Sequence, residues 1–131
     1  MTIIKAIYQL LTGDSQLVTM LPGGIASVWT AGGTYPRMMF SVKMSRINNE
    51  IQAGSAGFEV YLYGNNQAQA ETIRARLEWL LEKDLINTSE TGNTLRLNKI
   101  GHSYIPDDNP EILHYSIQYE LRAARIRPEG E

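Results

Sequence analysis

The chemistry-bearing side chains in this chain are few, and its two histidines are the sharpest lead. His102 and His114 flank the turn-forming run Asp107-Asp108-Asn109-Pro110. A hairpin centred near Asp108 sets the two imidazoles directly opposite each other on the outward face of paired strands. Such a pair could hold a metal, with Asp107, Asp108 or Glu111 as third ligand, and a catalytic zinc wants three protein ligands. The competing reading is two half-exposed polar residues on a wet strand face. It carries more weight, because the metal rests on one register alone. Gly23-Gly24 and Gly32-Gly33 are not followed by Lys-Ser or Lys-Thr, and neither makes GxGxxG, so they read as turns. Asp107-Asp108-Asn109 lacks the glycine and terminal glutamate of a calcium loop. GxSxG, SxxK and HExxH are absent. Arg122, Arg125 and Arg127 form a small basic cluster that could touch phosphate or an acidic partner. The reading is therefore of a chain that is not an enzyme, with no catalytic residue, metal or cofactor assigned.

The elements that must position these residues follow from periodicity. Ile3, Ile4, Ile7, Leu10 and Leu11 fall on one helical stripe ended by Gly13. Asp14 or Ser15 can cap a second short helix that stops at Pro22-Gly23-Gly24. Ile25 to Trp29 reads as a short strand. Met38, Phe40, Val42 and Met44 alternate with Met39, Ser41, Lys43 and Ser45, and Phe58, Val60 and Leu62 alternate with Glu59, Tyr61 and Tyr63, as strands with one buried face. Setting Met44 opposite Phe58 pairs Val42 with Val60, Phe40 with Leu62 and Lys43 with Glu59, leaving Asn48 to Gly57 as a flexible loop. Asn66 and Gln69 fit a capping-box variant ahead of the main helix, whose face is Ala70, Ile73, Leu77, Leu80 and Leu81. Arg74 and Glu78 form an i,i+4 pair on its other side. Leu95 and Leu97 then pair with the alternating strand from Ile112 to Arg122. The register that sets Arg96 against Glu120 is preferred over the one that brings Arg96 to Arg122.

This pattern predicts an α+β domain over residues 1–126: an antiparallel or mixed sheet of two hairpins with helices packed on one face. Residues 127–131 read as a flexible tail. The 131 residues suffice for one core. No cysteine is present, which excludes a disulfide scaffold and a thiolate site. Twelve Lys+Arg against fourteen Asp+Glu give a net charge of −2, which argues against a grip on nucleic acid by phosphate neutralisation. No apolar run approaches a membrane span, and Met1 to Lys5 does not read as a signal peptide. The expectation is a soluble, intracellular protein with no membrane partner.

Surface residues say more than chemistry does. Met39, Tyr61 and Tyr63 fall on the face away from Phe40, Phe58 and Leu62, and the register makes Met39 and Tyr63 cross-strand neighbours. An apolar patch on a face that should be wet marks a partner, unless a second helix layer covers it. With the loops 27–35 and 45–57, this gives the candidate interface: Trp29, Met39, Ile47, Asn49, Ile51, Gln52, Tyr61 and Tyr63.

The helix Ile3 to Leu11, the short helix Asp14 to Leu21, Pro22-Gly23-Gly24-Ile25, the strand entry Tyr35-Pro36-Arg37-Met38-Met39-Phe40, the run Phe58 to Gly64 into one long helix, and a closing strand Ile112 to Arg125 together resemble a family. The chain looks like the tail terminator, tail completion or head–tail joining proteins of tailed bacteriophages, over roughly residues 2 to 126. The resemblance implies a homo-oligomer, a hexameric ring at the head–tail junction of the virion, assembled in the host cytoplasm. Its partners would be the tail tube protein and the head connector protein, with DNA passing through the ring without specific binding. Deleting Asn48 to Ala53 is expected to spare the fold and weaken the ring. The rival readings are another neck or minor capsid component, or a small nucleic-acid-binding α+β domain.

Overall fold

Apolar residues at positions 3, 7 and 11 share one side of a helix, and α1 (Ile3–Thr12) buries all three together with Ala6. Ile4, expected on that stripe, is exposed instead. Ala6 takes the buried position between Ile3 and Ile7, which turns Ile4 outward. The computed structural model describes residues 3–27, 34–46, 51–64, 66–82, 96–106, 109 and 111–124, with side chains at all of these except 44–46, 51–52 and 123–124. The tail 127–131 and the turn residues Asp107 and Asp108 lie outside that description. Among the described residues, no helix is long and apolar enough to cross a membrane.

Asp14 starts α2 (Ser15–Met20) as its N-cap, its carboxylate accepting from the Leu17 N–H at 2.9 Å. The chain then forms β1 (Ile25–Ala26), β2 (Arg37–Arg46), β3 (Ile51–Tyr63), α3 (Gln67–Glu82), β4 (Arg96–Ile105) and β5 (Ile112–Ala124). The five strands order as β1-β2-β3-β5-β4. β1 runs parallel to β2 and every other pairing is antiparallel, so the sheet is mixed. β3 and β5 lie at its centre and join the two hairpins. Residues from all three helices and from alternate positions of β2 to β5 form one core cluster, so the helices pack on a single face. The fold is α+β.

Both hairpins form, in registers other than the expected ones. Phe40 lies opposite Phe58, Met38 opposite Val60 and Val42 opposite Ala56, a slip of four residues. An even slip keeps every side chain on its face and changes only its partner. The slip arises because Gly54-Ser55-Ala56-Gly57 is strand, not loop, paired on both sides by β2 and β5. Lys43 consequently faces Ser55, and Met39 faces Glu59.

In the second hairpin Arg96 does lie opposite Arg122. That register lets Leu97 meet Leu121, both fully buried. Burying a leucine stabilises by about 1.5–3 kcal/mol. An unfavourable cross-strand pair at the surface amounts to roughly 0.2–1 kcal/mol. The like-charge pair is the smaller term and is tolerated, since an even shift leaves Leu97 on the buried face in either register. A β-bulge between Lys99 and Gly101 then adds one residue, Ile100, which is 67% exposed.

α3 starts where its cap predicts. Asn66 Oδ1 accepts from the Gln69 N–H at 3.0 Å, and the Asn66 amide donates to Gln69 Oε1 at 3.4 Å. Its buried side is Ala70, Ile73, Leu77, Leu80 and Leu81. The other side grips the edge strand β4. Arg74 bonds Glu71 and Glu78, Lys99 pairs with Glu78, and the Tyr104 hydroxyl donates to Glu71 at 3.0 Å. The Arg74 guanidinium holds the Glu71 carboxyl below its ordinary range. For Glu78, burial pushes the pKa up, but Lys99 and Arg74 together outweigh it and the net direction is down.

Two tyrosines of β5 lie wholly in the core with hydroxyls that find no partner among the described residues, Tyr115 and Tyr119. Burial, with Glu82 and Glu78 nearby, pushes the Tyr119 phenol well above its ordinary value near 10. The folded state thus holds this proton while the unfolded chain releases it, so stability falls as pH rises past about 10. Tyr119→Phe should be neutral or stabilising at pH 7, by up to about 1 kcal/mol, and should flatten the loss of stability above pH 10. Urea melts at both pH values check this. A large loss at pH 7 would show that the hydroxyl is bonded.

Candidate interaction surface

The strand positions that point away from the helices form an open sheet face. The register orders it in rows across β2, β3, β5 and β4: Arg37, Tyr61, His114 and Ile105; Met39, Glu59, Ser116 and Ser103; Ser41, Gly57, Gln118 and Gly101; Lys43, Ser55, Glu120 and Asn98. The face therefore grades from aromatic at the β2 entry, through small polar residues, to charged at the far end.

The aromatic end is tightly packed although no described helix covers it. Met39 and Tyr61 are each 8% exposed, and Arg37, His114 and Ser116 are buried. The Tyr61 and His114 rings stack at 4.2 Å with 19° between planes, and His114 Nε2 lies 3.2 Å from Glu59 Oε1. An Arg37 N–H points to Met39 Sδ at 3.7 Å, and its guanidinium sits 5.8 Å from the Tyr35 ring. Tyr35 meets Tyr63 edge-on at 4.6 Å, and Tyr63 is 57% exposed. Packed neighbours thus hold Tyr63 in place while half its surface stays open. Rigid Tyr and Arg side chains in this setting are the types that anchor protein interfaces.

A second feature lies on the helix layer. A cleft of ≈ 640 Å³ runs between α2 and α3, lined by Met20, Thr19, Thr72, Ala75, Arg76 and Trp79 among others. The Arg76 guanidinium stacks 4.3 Å over the Trp79 ring. Asp14, the α2 cap, accepts from Arg76 Nε at 2.9 Å and so fixes that stack. The same bond raises the Arg76 pKa.

Of the residues expected at an interface, Tyr63 is at the surface and Met39 and Tyr61 lie beneath it. Met39 and Tyr63 are not cross-strand neighbours, since Met39 faces Glu59; the four-residue slip separates them. Ile51 and Gln52 begin β3; both pair with β5, and Gln52 also pairs with Arg46 of β2, so they are strand rather than loop. Deleting Asn48 to Ala53 would remove three rungs of that central strand, so the expected sparing of the fold is corrected. Trp29, Ile47 and Asn49 lie outside the described residues. The histidine pair dissolves. The two-residue register shift and the bulge together put His102 opposite Ile117, and the bulge turns it to the helix side with its ring 5.7 Å from Tyr115, while His114 is on the open face. Among the described residues no three His, Asp or Glu groups converge as metal ligands. Arg37, Glu59 and His114 escaped the sequence reading because each looks like an ordinary outward polar residue. Their shared rows with Tyr61 and Met39 depend on the β2–β3–β5 register. Trp79 had a local signal: a large aromatic on the outward side of α3.

No protein-family model matches this sequence, and no curated protein does. Solved structures do. A chain of the native gene transfer agent virion is 13% identical, with a TM-score of 0.77 over 93% of this chain and 94% of that one. This chain shares the fold of that virion protein. The bacteriophage SPP1 gp17 protein is 18% identical, with a TM-score of 0.64 over 98% of this chain and 91% of that one. The resemblance read from the order of elements thus holds at the level of fold. The shared fold runs over almost the whole length of both chains in each comparison.

Proposed function

We propose that this chain is a structural virion protein and no enzyme: a ring-forming subunit, hexameric, that caps the phage tail tube and joins it to the head connector. The observation that carries the reading is the fold shared along nearly the whole chain with a protein of the gene transfer agent virion and with a bacteriophage protein, SPP1 gp17. The packed aromatic end of the open face supports it, because a subunit that acts by occupying an interface needs anchors rather than reactive groups. Residues 1–126 act as one domain. The ring assembles in the host cytoplasm, sits at the tail–head junction, and lets DNA through its lumen without specific binding. Tyr63, with Trp29, Ile47 and Asn49, contributes to contacts between subunits or with the tube.

Native mass measurement and co-sedimentation with purified tail tubes test this. A hexamer-sized species, alone or on the tube end, is expected, together with arrest of further tube growth. A chain that stays monomeric and never sediments with tubes would sink the proposal.

A further inference from the structure

The sheet has a bare edge on each flank. β1 pairs with β2 only at Met38 and Met39, so among the described residues no strand lies along the outer side of β2 from Phe40 onward. β4 is the last strand on the other flank, and among the described residues its outer side is unpaired too. The free N–H and C=O groups of such an edge are a template for another strand. The first half of β4 is blunted, because the bulge at Ile100 interrupts its ladder. Beyond the bulge that protection ends. Gly101-His102-Ser103-Tyr104-Ile105 carries no Lys, Arg, Asp, Glu or Pro. Its last four residues are all exposed, although their side chains alternate between the two faces. Tyr104 and Ile105 are thus large apolar side chains left in water at a strand edge.

The two edges match in direction. β2 and β5 run one way, β3 and β4 the other. When a second copy continues the sheet with its helices on the same side, β4 of one copy runs antiparallel to β2 of the next. We infer that copies of this chain join by this added pairing, the β4 segment after the bulge against the bare edge of β2. Two conditions set its register. Residues directly opposite each other share a face, and β1 already occupies the position beside Met39. The first register clear of β1 sets Ile105 opposite Ser41 and Ser103 opposite Lys43 on the open face, and Tyr104 opposite Val42 on the helix side. An aromatic then meets a β-branched residue, a favourable cross-strand pair, and Ile105 is covered. A β4–β4 pair about a two-fold axis would be antiparallel as well, but it would leave β2 bare in every copy. β4 on β2 is a heterologous contact, the kind that closes into a ring when the rotation permits, and closure leaves neither edge bare. The inference rests on the ring-forming reading and gives it a subunit contact.

The absence of cysteine makes a cross-linking test clean. Within one molecule Ser41 and Ile105 are separated by β3 and β5, three strand spacings or roughly 14 Å. A disulfide needs Cα atoms within about 7 Å, so the two positions can be bridged only between copies. The double variant Ser41→Cys, Ile105→Cys is oxidised with and without purified tail tubes and run on non-reducing gels. A reducible ladder of covalent oligomers ending at the ring is expected. It should hold about tenfold or more product than the control pair Ser41→Cys, Asn98→Cys, whose second thiol lies before the bulge, out of reach in this register. A mixture of the two single variants should stop at dimers. Thermal melts confirm that the variants stay folded. A ring seen by native mass that yields no ladder would overturn the contact and leave the ring reading standing. Strong dimer formation by Ile105→Cys alone would also overturn it, in favour of β4–β4 pairing. A chain that neither cross-links nor binds tube ends would sink the contact together with the ring.

Discussion

Phe58→Ala should destabilise the protein by about 3–5 kcal/mol, a large part of the roughly 5–15 kcal/mol that holds a domain folded. Phe58 is fully buried on β3, a strand paired on both sides. Its ring stacks on Phe40 at 5.9 Å and meets Tyr119 edge-on at 5.6 Å. Truncation would leave a void between three strands and the helix layer, and none of those strands can close it without breaking its own ladder. The thermal midpoint should fall by on the order of 10–20 °C. Ile100→Ala serves as control, because the bulge already leaves that side chain in water, and its effect should stay within about 0.5 kcal/mol. Urea denaturation of both variants gives the comparison. A Phe58→Ala loss below about 1 kcal/mol would mean that the core repacks around β3, and would remove the reason for placing the centre of the fold there.

The same strand shows what was legible in the sequence. α3 could be read in full because its information is local: a cap at Asn66, a 3.6-residue stripe, and an i,i+4 pair. The faces of β2, β3 and β5 could be read for the same reason, since alternation is local too. Partners could not. Period two is blind to even slips, so Met44 opposite Phe58 looked as good as the observed Phe40 opposite Phe58. Small residues at 54–57 resembled a loop because glycine and serine are common in turns. In a central strand, Gly57 instead makes room for the Gln118 side chain, which would lie 3.2 Å from a Cβ there. The bulge at Ile100 had no local signature, and one extra residue, on top of the two-residue register shift, was enough to turn His102 to the opposite face from His114. The candidate surface inherits these limits. Tyr61 and Tyr63 were legible as outward aromatics. The packing of Arg37 and His114 around Tyr61 needs the non-local β3–β5 pairing.

Those limits also bear on how the aromatic end is held, and Gly23 tests it. Gly23→Ala should lower stability by about 3 kcal/mol, far more than alanine at neighbouring Gly24. A Cβ on Gly23 would fall 1.9 Å from the Thr34 carbonyl oxygen and 2.8 Å from the Arg37 Cβ. The first obstacle is backbone, so no change of rotamer relieves it. The Gly23 N–H donates to the Pro36 carbonyl at 2.9 Å, and the Met38 N–H donates to Gly24 at 3.0 Å. Forcing these segments apart therefore unpairs β1 from the start of β2, where Arg37 and Met39 enter the aromatic end. Gly24 differs in kind. Its φ is +93°, with open space where a Cβ would lie. Alanine there meets conformational strain of about 1–2 kcal/mol, which asparagine, more tolerant of positive φ, should partly relieve. The two adjacent glycines thus predict opposite responses to asparagine: partial rescue at 24 and none at 23. Hydrogen exchange at the Met38 amide gives a local readout, and faster exchange is expected in Gly23→Ala before global unfolding. Equal losses at both positions, or unchanged exchange at Met38, would refute the close approach of Gly23 to Thr34 as the clasp that sets the β2 entry and, through it, Tyr35, Arg37 and Tyr63.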